Sequence, residues 1–117
     1  MKSISTSISV QALTALALKS ARSAPGLEDA IAACDRGNYL EAESMLLVAA
    51  HAGNHNAQEL LGFMYAIGPE LYPGIECRPT ASKNWLEKAS RSGRPAAQYM
   101  HVAFQRGLLE ERMNGPS

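Results

Sequence analysis

Ala57-Gln58-Glu59-Leu60-Leu61-Gly62-Phe63-Met64-Tyr65-Ala66-Ile67-Gly68 is the stretch on which the fold turns. It holds no proline and no polar–apolar alternation, and it stops at a glycine, so it reads as a helix over 57–67. At helical spacing Ala57, Leu61 and Tyr65 share one face, with Gln58 and Gly62 beside it, and that face is expected to be core. The opposing stripe is Glu59, Phe63 and Ala66.

Displacing the chain on itself by 40 positions brings Leu46, Ala49, Gly53, Ala57 and Gln58 onto Leu86, Ala89, Gly93, Ala97 and Gln98. Met45 falls on Trp85, both large and apolar. The matched glycines end predicted helices, and the matched alanines and leucines sit on packing faces. Small residues such as Ala49, Ala57, Ala89 and Ala97 let helices approach closely, while Leu61, Tyr65 and Trp85 fill the spaces between them.

Working outward, helices are predicted over 27–36, 39–52, 57–67, 81–92 and 95–106. Gly37, Gly53, Gly68, Gly93 and Gly107 stand at their ends. Asn38 is positioned to cap the second and Thr80 the fourth, and Pro95 suits the first turn of the last. Between 69 and 79 runs a loop with three prolines and Gly74, whose Leu71 and Tyr72 form an apolar tip. That tip is either a binding feature or a lid folded back on the core, and the lid is the favoured reading.

The quoted segment resembles the first helix of a Sel-one-like repeat, a relative of the tetratricopeptide repeat, whose pattern A-Q-x-x-L-G-x-x-Y-x-x-G is met at every specified position. Gly74-Ile75, Trp85, Lys88-Ala89 and Gly93 resemble its second half, and Gly37-Asn38-Tyr39 with Glu41-Ala42 resembles a less regular preceding hairpin. The chain departs from the pattern in three places: the long insert between Gly68 and Gly74, Ser82 where alanine is usual, and His101-Val102 where leucine-glycine is expected. The resemblance implies an all-α fold, a short α-solenoid of antiparallel helix pairs over 26–107, with a leader at 1–25 and a tail at 108–117. Ala57, Leu61, Gly62, Tyr65, Trp85, Ala89, Gly93 and Ala97 are its expected structural core.

It also implies protein–protein interaction, often in bacterial envelope, secreted or signalling settings. First helices of stacked repeats line a concave surface, so Glu59 and Phe63, with Tyr99, Ala103 and Arg106 on the matching helix, are the candidate partner groove. Leu71 and Tyr72 are the second candidate. The expected function is a non-enzymatic adaptor or scaffold without cofactor. The alternatives are a self-associating structural repeat protein and an inhibitor or immunity-type protein that blocks a partner enzyme.

No enzyme motif opposes this. There is no Gly-x-Ser-x-Gly, no glycine-rich phosphate loop and no His-Glu-x-x-His. Glu41/Glu43 and Glu110-Glu111 read as solvated carboxylates. His51, His55 and Glu59 recur every four residues, but Gly53 interrupts the helix that would have to carry all three as metal ligands. His101 is a lone histidine. Eleven basic against eleven acidic residues give no pull toward nucleic acid, and no stretch approaches the ~20 apolar residues of a membrane span.

The first 25 residues carry Lys2, Lys19 and Arg22 and no acid. Three readings stay open: a degenerate signal peptide, an amphipathic helix packed on the body, and an unfolded secretion leader rich in Ser, Thr and Ile. Cleavage would place the protein in the periplasm or outside the cell, where Cys34 and Cys77 could pair; retention would leave it cytoplasmic.

Overall fold

Glycine punctuation divides the chain into helices. The computed structural model describes residues 10–22, 26–93 and 98. Among them are five α-helices: α1 (Val10–Arg22), α2 (Glu28–Asp35), α3 (Tyr39–His51), α4 (His55–Ile67) and α5 (Pro79–Ser90), with a 3-10 turn at Gly68–Glu70. The described residues contain no strand. Tyr99, Ala97, Arg106, His101 and most of the helix predicted over 95–106 lie outside the described residues, as does the tail; Gln98 is helical.

The ends of α2 and α3 share one device. Gly37 and Gly53 take φ of 80° and 98°, a left-handed conformation that side chains with a Cβ disfavour. At each, the following asparagine amide reaches back five residues, Asn38 N to Ala33 O at 2.8 Å and Asn54 N to Ala49 O at 3.0 Å. The glycine amide bonds three residues back, Gly37 N to Cys34 O and Gly53 N to Ala50 O, both at 3.0 Å, completing the Schellman pattern.

The 40-residue displacement reappears as geometry. Gln58 Nε2 donates to Ala50 O at 3.1 Å, and Gln98 Nε2 donates to Ser90 O at 3.3 Å. Gly53 N bonds Ala50 O, and Gly93 N bonds Ser90 O, each at 3.0 Å. In both units the glutamine of the following segment adds a second hydrogen bond to a carbonyl at the preceding helix end, beside the one from the glycine amide.

Capping differs from expectation in two places. Asn38 occupies the N-cap of α3 but makes no side-chain cap bond. The α5 helix begins at Pro79 with Arg78 at the cap position, so Thr80 lies inside it; proline is preorganised for a first helical turn. Asn54 is the asparagine that caps: its Oδ1 accepts from Ala57 N at 3.0 Å, starting α4 two residues earlier than predicted.

α4 is the centre. It packs against α1, α3 and α5, and α2 packs on α3. Every residue from Ala57 to Ile67 is buried, as befits a helix apolar on nearly all sides. The closest approach is at Gly62, where an added Cβ would lie 2.4 Å from Leu86 Cγ. Buried Ser82 donates its hydroxyl to Gly62 O at 2.7 Å across the same contact.

Gly62→Ala is therefore expected to destabilise the fold by about 1–3 kcal/mol through overpacking. Because Leu86 is the atom in the way, Leu86→Ala should cost less in the Gly62→Ala background than alone. Urea unfolding of the two single variants and the double variant checks both; additive costs would mean that the two residues do not meet.

Candidate functional site

α3, Tyr39-Leu40-Glu41-Ala42-Glu43-Ser44-Met45-Leu46-Leu47-Val48-Ala49-Ala50-His51, carries apolar residues on more than one face. Ala42, Leu46 and Ala50 turn inward and are buried. Leu40, Ser44 and Val48 recur at the same interval on the opposite side. Leu40 is 61% and Val48 74% exposed. Between them Ser44 turns its hydroxyl onto Leu40 O at 3.3 Å, leaving a small, internally bonded group at the middle of the stripe.

A shallow, open concavity accompanies each apolar end. One, of 340 Å³, is lined by Gly37, Asn38, Tyr39, Leu40, Glu41 and Pro73. The other, of 290 Å³, lies where the start of α2 meets α3 and is lined by Gly26, Asp29, Ala30, Met45 and Val48. These linings offer apolar surface, shape and one carboxylate each, with no nucleophile and no imidazole among them.

The expected groove falls elsewhere. Glu59 is 2% exposed and Phe63 0%, so neither belongs to an open surface, and Ala66 is buried with them. The reason is coverage. α1 packs on α4 and contributes Ala17 and Ala21 to the core that contains Phe63. A charge at position 63 would break that core rather than a partner contact. Tyr99 and Arg106, the rest of that groove, are outside the described residues.

The loop tip is a lid. Tyr72 is buried and meets the Tyr39 ring edge-on at 5.4 Å between centroids, and Leu71 is half-buried against the core. The loop then returns over the end of α4. Arg78 N donates to Tyr65 O at 2.9 Å, and the Cys77 thiol donates to Ala66 O at 3.5 Å. Both satisfy carbonyls at a helix terminus.

Of the expected core residues, Ala57, Leu61, Gly62, Tyr65, Trp85 and Ala89 are buried, whereas Gly93 is exposed in the turn after α5. The Trp85 ring meets His51 edge-on at 5.0 Å and carries the Lys88 ammonium 4.9 Å from its centroid. His51 ends α3 and His55 begins α4, where His55 Nδ1 lies 3.0 Å from Gln58 Oε1. Cys34 is buried and Cys77 half-buried, both as free thiols. Arg22 closes α1 with a two-pronged contact to Asp35 at 2.7 and 3.0 Å, holding that carboxyl below its usual range.

Glu43, read from the sequence as a solvated carboxylate, is instead half-buried in a polar pair with Tyr65. Tyr65 donates its hydroxyl to Glu43 Oε2 at 2.5 Å, joining α4 to α3. Burial, then this hydrogen bond and the carboxylate's charge, push the phenol pKa well above its ordinary 10.0, with Arg78 over the ring opposing weakly.

No family model, curated protein or solved structure matches the chain.

Two outcomes follow for the side chains around the site. Because the folded phenol holds its proton more tightly than the unfolded one, its stabilisation is present below pH 10.0 and is lost as the pH rises further. Tyr65→Phe should flatten the alkaline fall in stability, as read from unfolding midpoints across that range. Trp85→Ala should cost about 3–5 kcal/mol in urea unfolding, as core aromatic truncations do; a loss below ~1 kcal/mol would place the ring outside the core.

Proposed function

We propose that this chain is a non-enzymatic protein-interaction module of the Sel-one-like, tetratricopeptide-related kind, and that it holds its partner on the outer face of α3. In this reading the helices form a short α-solenoid of antiparallel pairs. The support is the A-Q-x-x-L-G-x-x-Y-x-x-G stretch at 57–68 and the hydrogen bonds that recur at 40 residues, Gln58 to Ala50 and Gln98 to Ser90.

The observation that carries the interaction is the exposure of Leu40 and Val48 on one stripe of a helix whose other side is core. Isolated exposed apolar residues are ordinary. Two of them on one helical stripe, each beside an open concavity, make a patch. A partner helix or strand would bury them without rearranging the protein, since the face is already formed.

Leu40→Asp and Val48→Asp should each abolish partner capture from the native cell while far-UV circular dichroism stays helical. Asn84→Asp, on the exposed side of α5, serves as the control and should keep it. Undiminished capture by both α3 variants would remove α3 as the binding surface.

A further inference from the structure

α1 lies across the leading helices of two packed pairs. It packs on α4, which pairs with α5, and more lightly on α2, which pairs with α3. We propose that α1 is a detachable strap, and that the surface of α4 and α2 beneath it is a seat for a helix of α1's kind, filled in cis by α1 itself. The closed chain offers α3 for recognition; the seat becomes a second surface when α1 leaves it.

The described side chains of α1 fasten it lightly. Ala17 and Ala21 are fully buried and Leu18 is half-buried, while Ala15, Leu16, Lys19 and Arg22 are exposed. An alanine takes far less apolar area out of water than a leucine or a phenylalanine does. The largest described buried side chains, Phe63, Leu46, Leu60, Leu61, Met64 and Leu86 among them, stand on α3, α4 and α5. Those three helices and α2 also pack in an unbroken series, α2 on α3, α3 on α4 and α4 on α5, that does not pass through α1. α1 can therefore open as a unit while the rest stays folded, as local units do at free energies below global stability.

Beneath the strap is a face suited to a helix. Gly62 meets Leu86 of α5, and Gln58 and Tyr65 bond α3, so α5 and α3 take two sides of α4. Phe63, on a further stripe, is 0% exposed and shares its core with Ala17 and Ala21. Those two alanines stand four apart on one stripe of α1, and small residues there let two helices approach closely. Where α1 ends, Arg22 meets Asp35, the last residue of α2, in two bonds of 2.7 and 3.0 Å. Both side chains are about half-exposed, so the pair adds little strength, but its two-pronged geometry fixes where the helix stops. The seat thus selects a helix with small residues four apart and an arginine closing its last turn, the anchor pattern of helix-in-groove recognition.

Fluorescence anisotropy of a labelled synthetic Val10–Arg22 peptide, titrated with the full chain, tests the seat. Ala17→Asp puts a carboxylate into the contact between α1 and α4 and should undock the chain's own α1. Trp85, the one tryptophan, stands on α5 and should keep its emission, and far-UV circular dichroism should lose no more than the helix of α1. That chain should bind the peptide about tenfold or more tighter than wild type does, because the wild-type seat is filled. A peptide carrying Ala17→Asp should not bind. In a chain with Ala17→Asp and Asp35→Arg, the preference should turn over from the wild-type peptide to one carrying Arg22→Asp. Hydrogen exchange on the wild-type chain reads the strap directly: α1 amides should exchange through a smaller opening than the one that frees α4. If Ala17→Asp shifts Trp85 to the emission of the unfolded chain, or if α1 and α4 amides exchange together, α1 is an integral part of the core and the strap is overturned. Peptide binding that is no tighter to Ala17→Asp than to wild type, or that ignores the charge exchange, overturns the seat. Capture through Leu40 and Val48 is read separately, so either proposal can fail alone.

Discussion

The contact between α4 and α5 at Gly62 is the constraint on which the other packing depends. Leu86 occupies the space a side chain at position 62 would take, and Ser82 ties its hydroxyl to the carbonyl of the same glycine. This seats α5 close to α4 and buries Trp85 and Leu86. The loop that precedes α5 must then run back across the end of α4, and it does so by bonding Tyr65 O and Ala66 O. Gly68 belongs to the same geometry: a Cβ there would lie 3.1 Å from the Cys77 backbone nitrogen. Two glycines six residues apart thus set how near α5 and its loop can come.

With α4 enclosed, polar groups inside it must be answered locally. Gln58 does so by bonding Ala50 O, which links the start of α4 to the end of α3. Tyr65 does so through Glu43, on the half-buried flank of α3. Both tie α4 to α3, and both fix α3's rotation about its own axis. Ala42, Leu46 and Ala50 consequently face inward, and Leu40, Ser44 and Val48 have no choice but to face out. The exposed stripe is a consequence of how α4 satisfies its buried hydrogen bonds.

Helix positions were legible because glycine and asparagine mark them: Gly37-Asn38 and Gly53-Asn54 end α2 and α3 through main-chain geometry that a sequence states openly. The core face of Ala57, Leu61 and Tyr65 was legible from helical spacing, as was the register of 40, which becomes visible in hydrogen bonds. The groove was not. Assigning Glu59 and Phe63 to an open face treated α4 as half-exposed, and only tertiary packing tells that α1 covers a further side of it. Ser82 carried a readable signal, a hydroxyl where the repeat pattern has alanine, and its reason is the carbonyl of Gly62. Thr80 lost the cap to a start two residues earlier because Pro79 needs no amide partner there.

Coverage of α4 by α1 has a consequence for where a partner can bind. A curved repeat normally offers the inner helices, but here Phe63 is spent on the core. In the proposed interaction module, the recognition surface therefore falls to the outward face of α3, although a solvent-facing helix side is ordinarily polar. α3 breaks that rule at Leu40 and Val48 while keeping Glu41 and Ser44 between and beside them. Burying those two side chains against another molecule removes apolar surface from water without uncovering any core residue, so binding through α3 need not compete with folding. Binding through Phe63 would have to.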